Sequence, residues 1–169
     1  MMARCGSLRT MSTKSPIDRK RPKHSIPHEL DTYLRTATKE GLGSSPAGYL
    51  EHGAQLVTPS ALQALHGLLP ELRKKTSAIT DSARLRRRLE TLITYFEETE
   101  AGEFADAETR REIGFVLIYF LKGYDLIPDT IPHIGLVDDA LLVEAVLGRH
   151  QEAIRAHWLS VHRSEPEIK

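Results

Sequence analysis

The stretch DLIPDTIPHIGLVDD, residues 125–139, determines how the second half of the chain is interpreted. It contains the pattern D-x-I-P twice in succession and ends on two adjacent aspartates. It cannot form one continuous helix, because each proline removes an amide donor and moves the residue before it towards extended backbone. The stretch therefore predicts two short turns between helices, with Asp125 and Asp129 capping those turns.

The final residues of the stretch have a different predicted role. Gly135 permits a backbone turn that a side chain would resist. Asp138 is expected to cap the long helix that follows, and Asp139 in its first turn is expected to oppose the helix dipole. Each carboxylate thus has a structural explanation that requires no ligand.

Two apolar segments flank the stretch. Residues 113–121, IGFVLIYFL, carry no charge, and residues 140–147, ALLVEAVL, are nearly as apolar. A helix that is apolar on all sides is buried in protein or in lipid. We therefore predict that residues 107–122 and 138–157 form an antiparallel helical hairpin across the Asp/Pro loop.

The segment IYFLKGYDLIPDTIPHIGLVDDALLVEAVL resembles the YkvA family, a small bacterial helical domain of unknown function. The resemblance covers roughly residues 113–150, and its hallmark is Y-x-x-x-P-x-D-L-I-P-D-x-I-P-x-x-G-x-x-D-D. Gly123 stands where the hallmark has proline. The resemblance implies no reaction or ligand, but it does imply a frequent association with membranes. The matching residues, which are the candidate site, are Tyr119, Asp125, Leu126, Ile127, Pro128, Asp129, Ile131, Pro132, Gly135, Asp138 and Asp139.

The first half of the chain also has helical spacing of its apolar residues. Ser45 before Pro46, and Thr58 before Pro59, are typical of helix starts, and Pro70 is expected to kink or restart a helix. Asp81 is the expected cap of the next helix, whose apolar stripe is Leu85, Leu89, Leu92 and Phe96. No alternating strand pattern competes with these signals. The sequence predicts an all-α protein with five or six helices.

Composition divides the chain into four parts. Residues 1–25 are predicted to be a disordered basic arm, because residues 1–24 carry seven Lys or Arg against one Asp. Residues 26–101 form a helical N-terminal region, residues 106–158 the YkvA-like hairpin domain, and residues 159–169 a frayed tail. Met1 and Met11 are both candidate start residues.

The compartment is predicted from cysteine usage and from the arm. The single cysteine, Cys5, has no partner, which favours a reducing, cytoplasmic setting. The arm contains no apolar run that could serve as a secretory signal. Its basic residues could instead contact an anionic membrane surface.

A membrane-embedded protein is the first alternative. The apolar residues 113–121 would extend only about 14 Å as a helix, about half of the ~30 Å hydrocarbon core. A longer span would bury Lys122, Asp125 and Asp129, which is unfavourable. A simple span is therefore disfavoured, whereas a re-entrant hairpin, and with it an integral membrane location, stays open.

A divalent-metal carboxylate enzyme is the second alternative. Asp125, Asp129, Asp138 and Asp139 with His133 could bind Mg²⁺ or Ca²⁺, because hard cations favour carboxylate oxygens. The spacing matches no EF-hand, and the sequence has no H-E-x-x-H, phosphate-loop or G-x-S-x-G motif. His150 and His157 are expected to be surface residues. The sequence thus predicts no catalytic residue and no cofactor, and leaves the metal question open.

The leading hypothesis is a non-catalytic helical interaction protein, with a protein partner or a membrane surface as its target. Nucleic acid is disfavoured, because Arg84 and residues 86–88 share their helix with several glutamates and are expected to be solvated. The sequence indicates neither the partner nor the oligomeric state.

Overall fold

The computed structural model describes residues 26–37, 45–99, 106–123, 136–164, 166 and 168. Throughout these ranges the regular secondary structure is α-helical, which confirms the predicted class. The described helices number seven, so the prediction of five or six was too low. They are α1 (His28–Ala37), α2 (Pro46–Gln55), α3 (Pro59–Gly67), α4 (Leu69–Ser77), α5 (Ala83–Glu98), α6 (Ala107–Lys122) and α7 (Val137–Ser160).

The additional helix arises at Leu68. The backbone of Leu68 (φ −100°, ψ 1°) lies between α3 and α4, and Pro70 occupies the first turn of α4. A proline is tolerated there because the amide that it lacks would have no partner within the helix. Pro70 therefore marks the start of a new helix, one of the two outcomes that the sequence predicted.

Side-chain caps fix where several helices begin. The predicted caps of α2 and α3 are present, and Asp106 caps α6 in the same way. Ser45 Oγ accepts from the amide of Gly48 at 3.1 Å, Thr58 Oγ1 from Ala61 at 3.2 Å, and Asp106 Oδ1 from Thr109 at 2.7 Å.

The predicted cap of α5 was wrong by one residue. Ser82 Oγ accepts from the amide of Leu85 at 3.2 Å, while Asp81 accepts from the hydroxyl of Thr80 at 2.8 Å. Both Asp and Ser are good capping residues. Sequence alone therefore could not separate two such neighbours.

Helix α6 is the centre of the fold. Its residues 112–120 are buried on every side, and it contacts α2, α3, α4, α5 and α7. The approach of α2 is close, because a Cβ on Gly53 would overlap the Phe115 ring. The predicted apolar stripe of α5 also faces this core and is buried. The all-round apolar segment is thus covered by protein.

The end of α6 is fixed by two contacts. Gly123 has a left-handed backbone (φ 61°), and its amide donates to the Tyr119 carbonyl at 3.2 Å. Lys75 of α4 donates from Nζ to the Phe120 carbonyl at 2.5 Å, and the same Nζ lies 4.5 Å from the centre of the Phe120 ring. These contacts satisfy carbonyls that the last turn of a helix leaves without partners.

Helix α7 starts and ends differently from the prediction. Its cap position is Leu136, which makes no side-chain capping hydrogen bond, and Asp138 lies inside the first turn. The prediction that Asp138 caps this helix was therefore wrong. The helix continues to Ser160 and is kinked at His150 (φ −110°, ψ 20°). Beyond it, within the predicted tail of residues 159–169, Ile168 is buried.

Some predictions lie outside the described residues. These are the basic arm of residues 1–25 and most of the Asp/Pro loop, including Asp125, Leu126, Ile127, Pro128, Asp129, Ile131, Pro132, His133 and Gly135.

Candidate functional site

The candidate site is the seam between α6 and α7. Tyr119, near the end of α6, contacts Asp138 at the start of α7, whereas Thr109, at the start of α6, contacts His150 much further along α7. The two helices therefore lie side by side in opposite directions. Polar side chains occupy both ends of the seam, and apolar residues fill the space between.

The tyrosine–aspartate cluster, formed by Tyr49, Tyr119, Asp138 and Asp139, occupies the loop end of the seam. The hydroxyl of Tyr119 donates to Asp138 Oδ2 at 2.9 Å. Asp138 is 3 % exposed and Asp139 is 1 % exposed, so both carboxylates of the first turn of α7 are buried. They lie near the positive end of the helix dipole, a position that stabilises negative charge.

Burial determines the protonation of the tyrosines in this cluster. Burial raises the pKa of Tyr119, and the nearby carboxylates of Asp138 and Asp139 raise it further. Burial also raises the pKa of Tyr49, with smaller effects from Tyr33 and Asp138. Both hydroxyls therefore keep their protons at neutral pH, and Tyr119 is a hydrogen-bond donor and not a base.

An aromatic group surrounds the tyrosines. The ring of Tyr49 stacks on Tyr33 with centroids 5.1 Å apart and meets the edge of Tyr119 at 6.1 Å. The Tyr33 hydroxyl donates to the Tyr49 carbonyl at 3.1 Å. Helices α1 and α2 thereby hold Tyr119 in place, and Tyr119 in turn positions Asp138.

The glutamate–histidine cluster, formed by Thr109, Glu112, Arg149 and His150, occupies the far end of the seam. Glu112 is 1 % exposed. Its Oε1 accepts from Arg149 Nη1 at 2.5 Å, and its Oε2 lies 2.7 Å from His150 Nε2. The other ring nitrogen, His150 Nδ1, lies 3.2 Å from the Thr109 hydroxyl. Both oxygens of a buried carboxylate therefore have partners on α7.

This cluster extends beyond the seam in two directions. Arg149 Nη2 lies 3.4 Å from Glu51 Oε2, which connects α7 to α2. Asp106 binds the Thr109 amide, and this hydrogen bond holds the pKa of Asp106 below its ordinary value, although its partial burial opposes the effect. The kink of α7 coincides with the residue, His150, that contacts both Glu112 and Thr109.

The carboxylates of both clusters are enclosed by the protein. They are buried against side chains, and two surface pockets elsewhere, one beside Lys75 and one beside Trp158, are lined by other residues. Within the described ranges, no three or more His, Cys, Asp or Glu side chains could share a metal ion. The metal hypothesis also depends on Asp125, Asp129 and His133, which lie outside these ranges.

The structure brings together only part of the predicted site. It places Tyr119 against Asp138 and buries Asp139 beside them. The prediction of His150 and His157 as surface residues was wrong, because the His150 side chain is only 13 % exposed and His157 is buried, with Nε2 at 2.9 Å from Glu98 Oε2.

Sequence analysis missed the glutamate–histidine cluster. One signal could have indicated it, since Glu112 is seven residues before Tyr119 and therefore shares its face of an otherwise apolar helix.

Residues 109–145 match the family described as protein of unknown function (DUF1232). The match begins in the first turn of α6, spans the Asp/Pro loop and ends in α7. It covers less than a quarter of the 169-residue chain. No curated protein and no solved structure matches the chain. The DUF1232 match supports a domain of unknown function at the predicted place, while the resemblance to YkvA and its full hallmark stays a prediction.

The DUF1232 segment itself carries two exposed apolar residues. Val137 is 43 % exposed and Leu141 is 42 % exposed, one turn apart on α7. Among the helices described, none is long and apolar enough to cross a membrane.

Proposed function

We propose that this chain is a non-catalytic helical interaction protein of the cytoplasm. In this proposal the seam is a rigid support, and the YkvA-like Asp/Pro loop with the adjoining turn of α7 contacts a protein partner. The observation that carries the proposal is the burial of Asp138 and Asp139, with Asp138 bound by the Tyr119 hydroxyl. Carboxylates in this position stabilise a packing arrangement and are not available to a substrate.

The exposed pair Val137 and Leu141 supports a contact surface at this place. Apolar side chains of this size are exposed singly on most proteins, but here two neighbours lie one turn apart beside the loop. A protein partner or the interface of a membrane could cover them, and peripheral membrane association is the second form of the proposal. The basic arm would add an attraction to anionic lipid that salt screens.

Cross-linking in the native cell tests the contact surface. The variant Val137→Ser with Leu141→Ser should lose the cross-linked partner, because the apolar contact is removed while the buried seam is unchanged. The matched control is Leu159→Ser with Val161→Ser, which also removes two exposed apolar side chains, but near the other end of α7. Equal capture by both variants would contradict the proposed surface.

Fractionation separates the two forms of the proposal. We expect the untagged protein in the soluble fraction at high salt, with any binding to anionic vesicles at low salt depending on residues 1–24. Extraction that requires detergent would instead favour the embedded hairpin.

A melting experiment tests the metal alternative. A site for Mg²⁺, Mn²⁺ or Ca²⁺ would stabilise the protein by about 2.7 kcal/mol at 100 times the dissociation constant. This would raise the melting temperature by several degrees at roughly 2–4 °C per kcal/mol. We expect no rise. A rise that is absent in Asp138→Asn would contradict the non-catalytic, structural role of the aspartates.

A further inference from the structure

The chain turns back onto α5 after α7 ends. The Val161 amide donates to the His157 carbonyl at 3.2 Å, and the Arg163 amide donates to the Trp158 carbonyl at 3.0 Å. His162 lies between them with φ 54°, a left-handed conformation that glycine adopts easily and a residue with a Cβ does not. We name the described residues that follow α7 (161–164, 166 and 168) the strap.

The side chains of Arg163 and Ile168 bind the strap to the rest of the protein. Arg163 forms a bidentate pair with Glu98, with Nη1 to Oε2 at 2.7 Å and Nη2 to Oε1 at 2.6 Å. Ile168 is 8 % exposed and joins the hydrophobic core. The ion pair is partly exposed to solvent, so the apolar contact of Ile168 is the main anchor.

The surface under the strap contains a buried cation. Arg88 is 6 % exposed, and its Nη2 donates to the Ile168 carbonyl at 3.2 Å. Its Nε makes no hydrogen bond with any described residue. Burying a guanidinium is unfavourable unless its donors are satisfied. Lifting the strap would return Arg88 to water, which partly offsets the lost burial of Ile168.

A groove of about 470 Å³ runs beside the strap. One wall consists of strap and α7 residues, and the other consists of polar residues of α5. Its lining residues are Arg87, Glu90, Thr91, Thr94, Trp158, Arg163, Ser164 and Pro166. The strap therefore lies on a partly open surface and is not enclosed on both sides.

We propose that the strap is exchangeable between two copies of this chain. When the turn at His162 opens, the strap of one copy occupies the α5 surface of the other, with Ile168 buried and its carbonyl on Arg88. The occupant is a second copy, because its strap carries the side chains that this surface already binds. The side-chain contacts of Arg163 and Ile168 are kept between copies, while the backbone hydrogen bonds of the turn are lost and its left-handed backbone is relieved in both chains.

Concentration controls this equilibrium. In dilute solution the strap of the same chain has the higher effective concentration, so the closed monomer predominates. Exchange becomes favourable as the protein concentration approaches that effective concentration, or as the closed turn is weakened. The hinge residue His162 is therefore the place to test the proposal.

Two substitutions at the hinge should have opposite effects. Proline cannot adopt φ 54° and lacks the amide that His162 donates to the Leu159 carbonyl at 3.1 Å, so His162→Pro opens the turn. Glycine adopts this backbone freely, so His162→Gly favours the closed monomer. Light scattering after size exclusion, from about 10 µM to about 1 mM, measures the dimer. Because each dimer opens two turns, we expect a rise of about 100-fold in the association constant for proline and a fall of about 25-fold for glycine, which is about tenfold and about fivefold for each turn.

Substitution of the anchor identifies the surface. In the His162→Pro background, Ile168→Glu should abolish the dimer, whereas Leu159→Glu, an exposed control two residues before the strap, should retain it. A His162→Pro protein that stays monomeric while Trp158 fluorescence shifts towards that of exposed tryptophan would overturn the proposal. A dimer that survives Ile168→Glu would also overturn it.

Cross-linking detects exchange directly with an unaltered hinge. In a Cys5→Ser background, Thr94→Cys and Ser164→Cys are made in separate chains and mixed with a short thiol cross-linker. Both residues line one groove, so exchange places them together between copies. We expect a cross-linked heterodimer that Ile168→Glu removes. Its absence at about 1 mM would overturn the proposal even if the proline variant did not fold.

Discussion

The two ends of the α6–α7 seam are stabilised in different ways. At the loop end a neutral donor, the Tyr119 hydroxyl, binds a buried carboxylate at 2.9 Å. At the far end Glu112 binds Arg149 at 2.5 Å and His150 at 2.7 Å. The difference shows that one helix pair can be held by a hydrogen bond from an uncharged donor to a carboxylate at one end and by an ion-paired cluster at the other.

This difference also affects what sequence comparison can detect. The DUF1232 match of residues 109–145 contains Tyr119 and Asp138 together. It contains Glu112 but ends before Arg149 and His150. The hydrogen-bonded pair of the loop end, Tyr119 and Asp138, therefore lies within the matched segment, whereas Arg149 and His150 of the far end lie outside it.

Loss of Glu112 should have the largest effect. Glu112→Ala should lower the free energy of unfolding by about 3 kcal/mol, because it leaves Arg149 and His150 without their buried partner. Urea denaturation measures the change. Glu51→Ala, which removes the exposed partner of the same arginine, should cost less than about 1 kcal/mol. Similar losses of unfolding free energy in the two variants would mean that the buried ion pairs of Glu112 do not stabilise the far end.

Loss of the tyrosine hydroxyl should have the next largest effect. Tyr119→Phe should lower the free energy of unfolding by about 1.5–3 kcal/mol, because the hydroxyl binds a charged group. The control Tyr33→Phe removes a hydroxyl that binds a carbonyl and should lower it by about 0.5–1.5 kcal/mol. Urea denaturation again gives the free energies.

Asp138 variants complete this test. Asp138→Asn should cost less than Asp138→Ala, because asparagine retains an oxygen that can accept from Tyr119. A double-mutant cycle of Tyr119→Phe with Asp138→Asn should give a coupling energy of at least about 0.5 kcal/mol. If the free-energy changes of the two substitutions simply add, the Tyr119–Asp138 hydrogen bond does not stabilise the loop end.

Glycine substitutions test the origin of the kink in α7. Gly148→Ala should stabilise the protein by about 0.5–1 kcal/mol, because an added Cβ meets open space and alanine favours helix. If the kink depends on glycine and not on the His150 contacts, this substitution should instead disturb the far end. Gly53→Ala is the contrasting variant, with an expected loss of about 1–3 kcal/mol because its Cβ overlaps Phe115. Melting temperatures measured by calorimetry should rise for Gly148→Ala and fall for Gly53→Ala.

The smallest expected effect is the pH dependence of stability that comes from Glu98. Glu98 forms a partly exposed cluster with Arg163 and His157, and this reference cluster is compared with the two ends of the seam. The hydrogen bond from Arg163 holds the pKa of Glu98 below its ordinary value of 4.5, and a weaker bond from His157 adds to this although burial opposes it. The folded state thus binds the proton less tightly than the unfolded state. The contribution is present above the unfolded pKa and is lost as pH falls through the folded value.

Urea midpoints from about pH 6 to about pH 3 measure this loss. The wild type should lose up to about 1 kcal/mol more than Glu98→Gln over this range. If the urea midpoints of the two proteins change with pH in parallel, the reference cluster contributes nothing to stability.

Several elements of the fold were predictable because they depend on neighbours in sequence. Ser45 and Thr58 cap their helices because a side chain can reach an amide three residues ahead. The stripe of α5 was also predictable, because residues at helical spacing share one face. The break at Leu68 was harder to predict, since a proline in the first turn and a proline within a helix look alike in the sequence.

The errors concern residues whose role depends on a distant partner. Asp138 was predicted as a cap because it precedes an apolar run, but the tertiary contact with Tyr119 accounts for its burial. His150 and His157, seven residues apart, were predicted at the surface, yet Glu112 and Glu98 bind them. Arg88 was expected to be solvated, yet it is buried under the strap. Such pairings are separated by tens of residues, and no local pattern encodes them.

The backbone of Gly123 restricts which loops this helix pair can accept. The hallmark that the chain resembles has proline at this place, but proline holds φ near −65° and has no amide for the Tyr119 carbonyl. With Gly123 at φ 61°, the chain leaves α6 in a direction that a proline could not follow. A chimera carrying a loop with proline at this position would therefore require a different exit from α6. Exchange with such a loop should begin upstream, at the last turn of α6, and not at the loop itself.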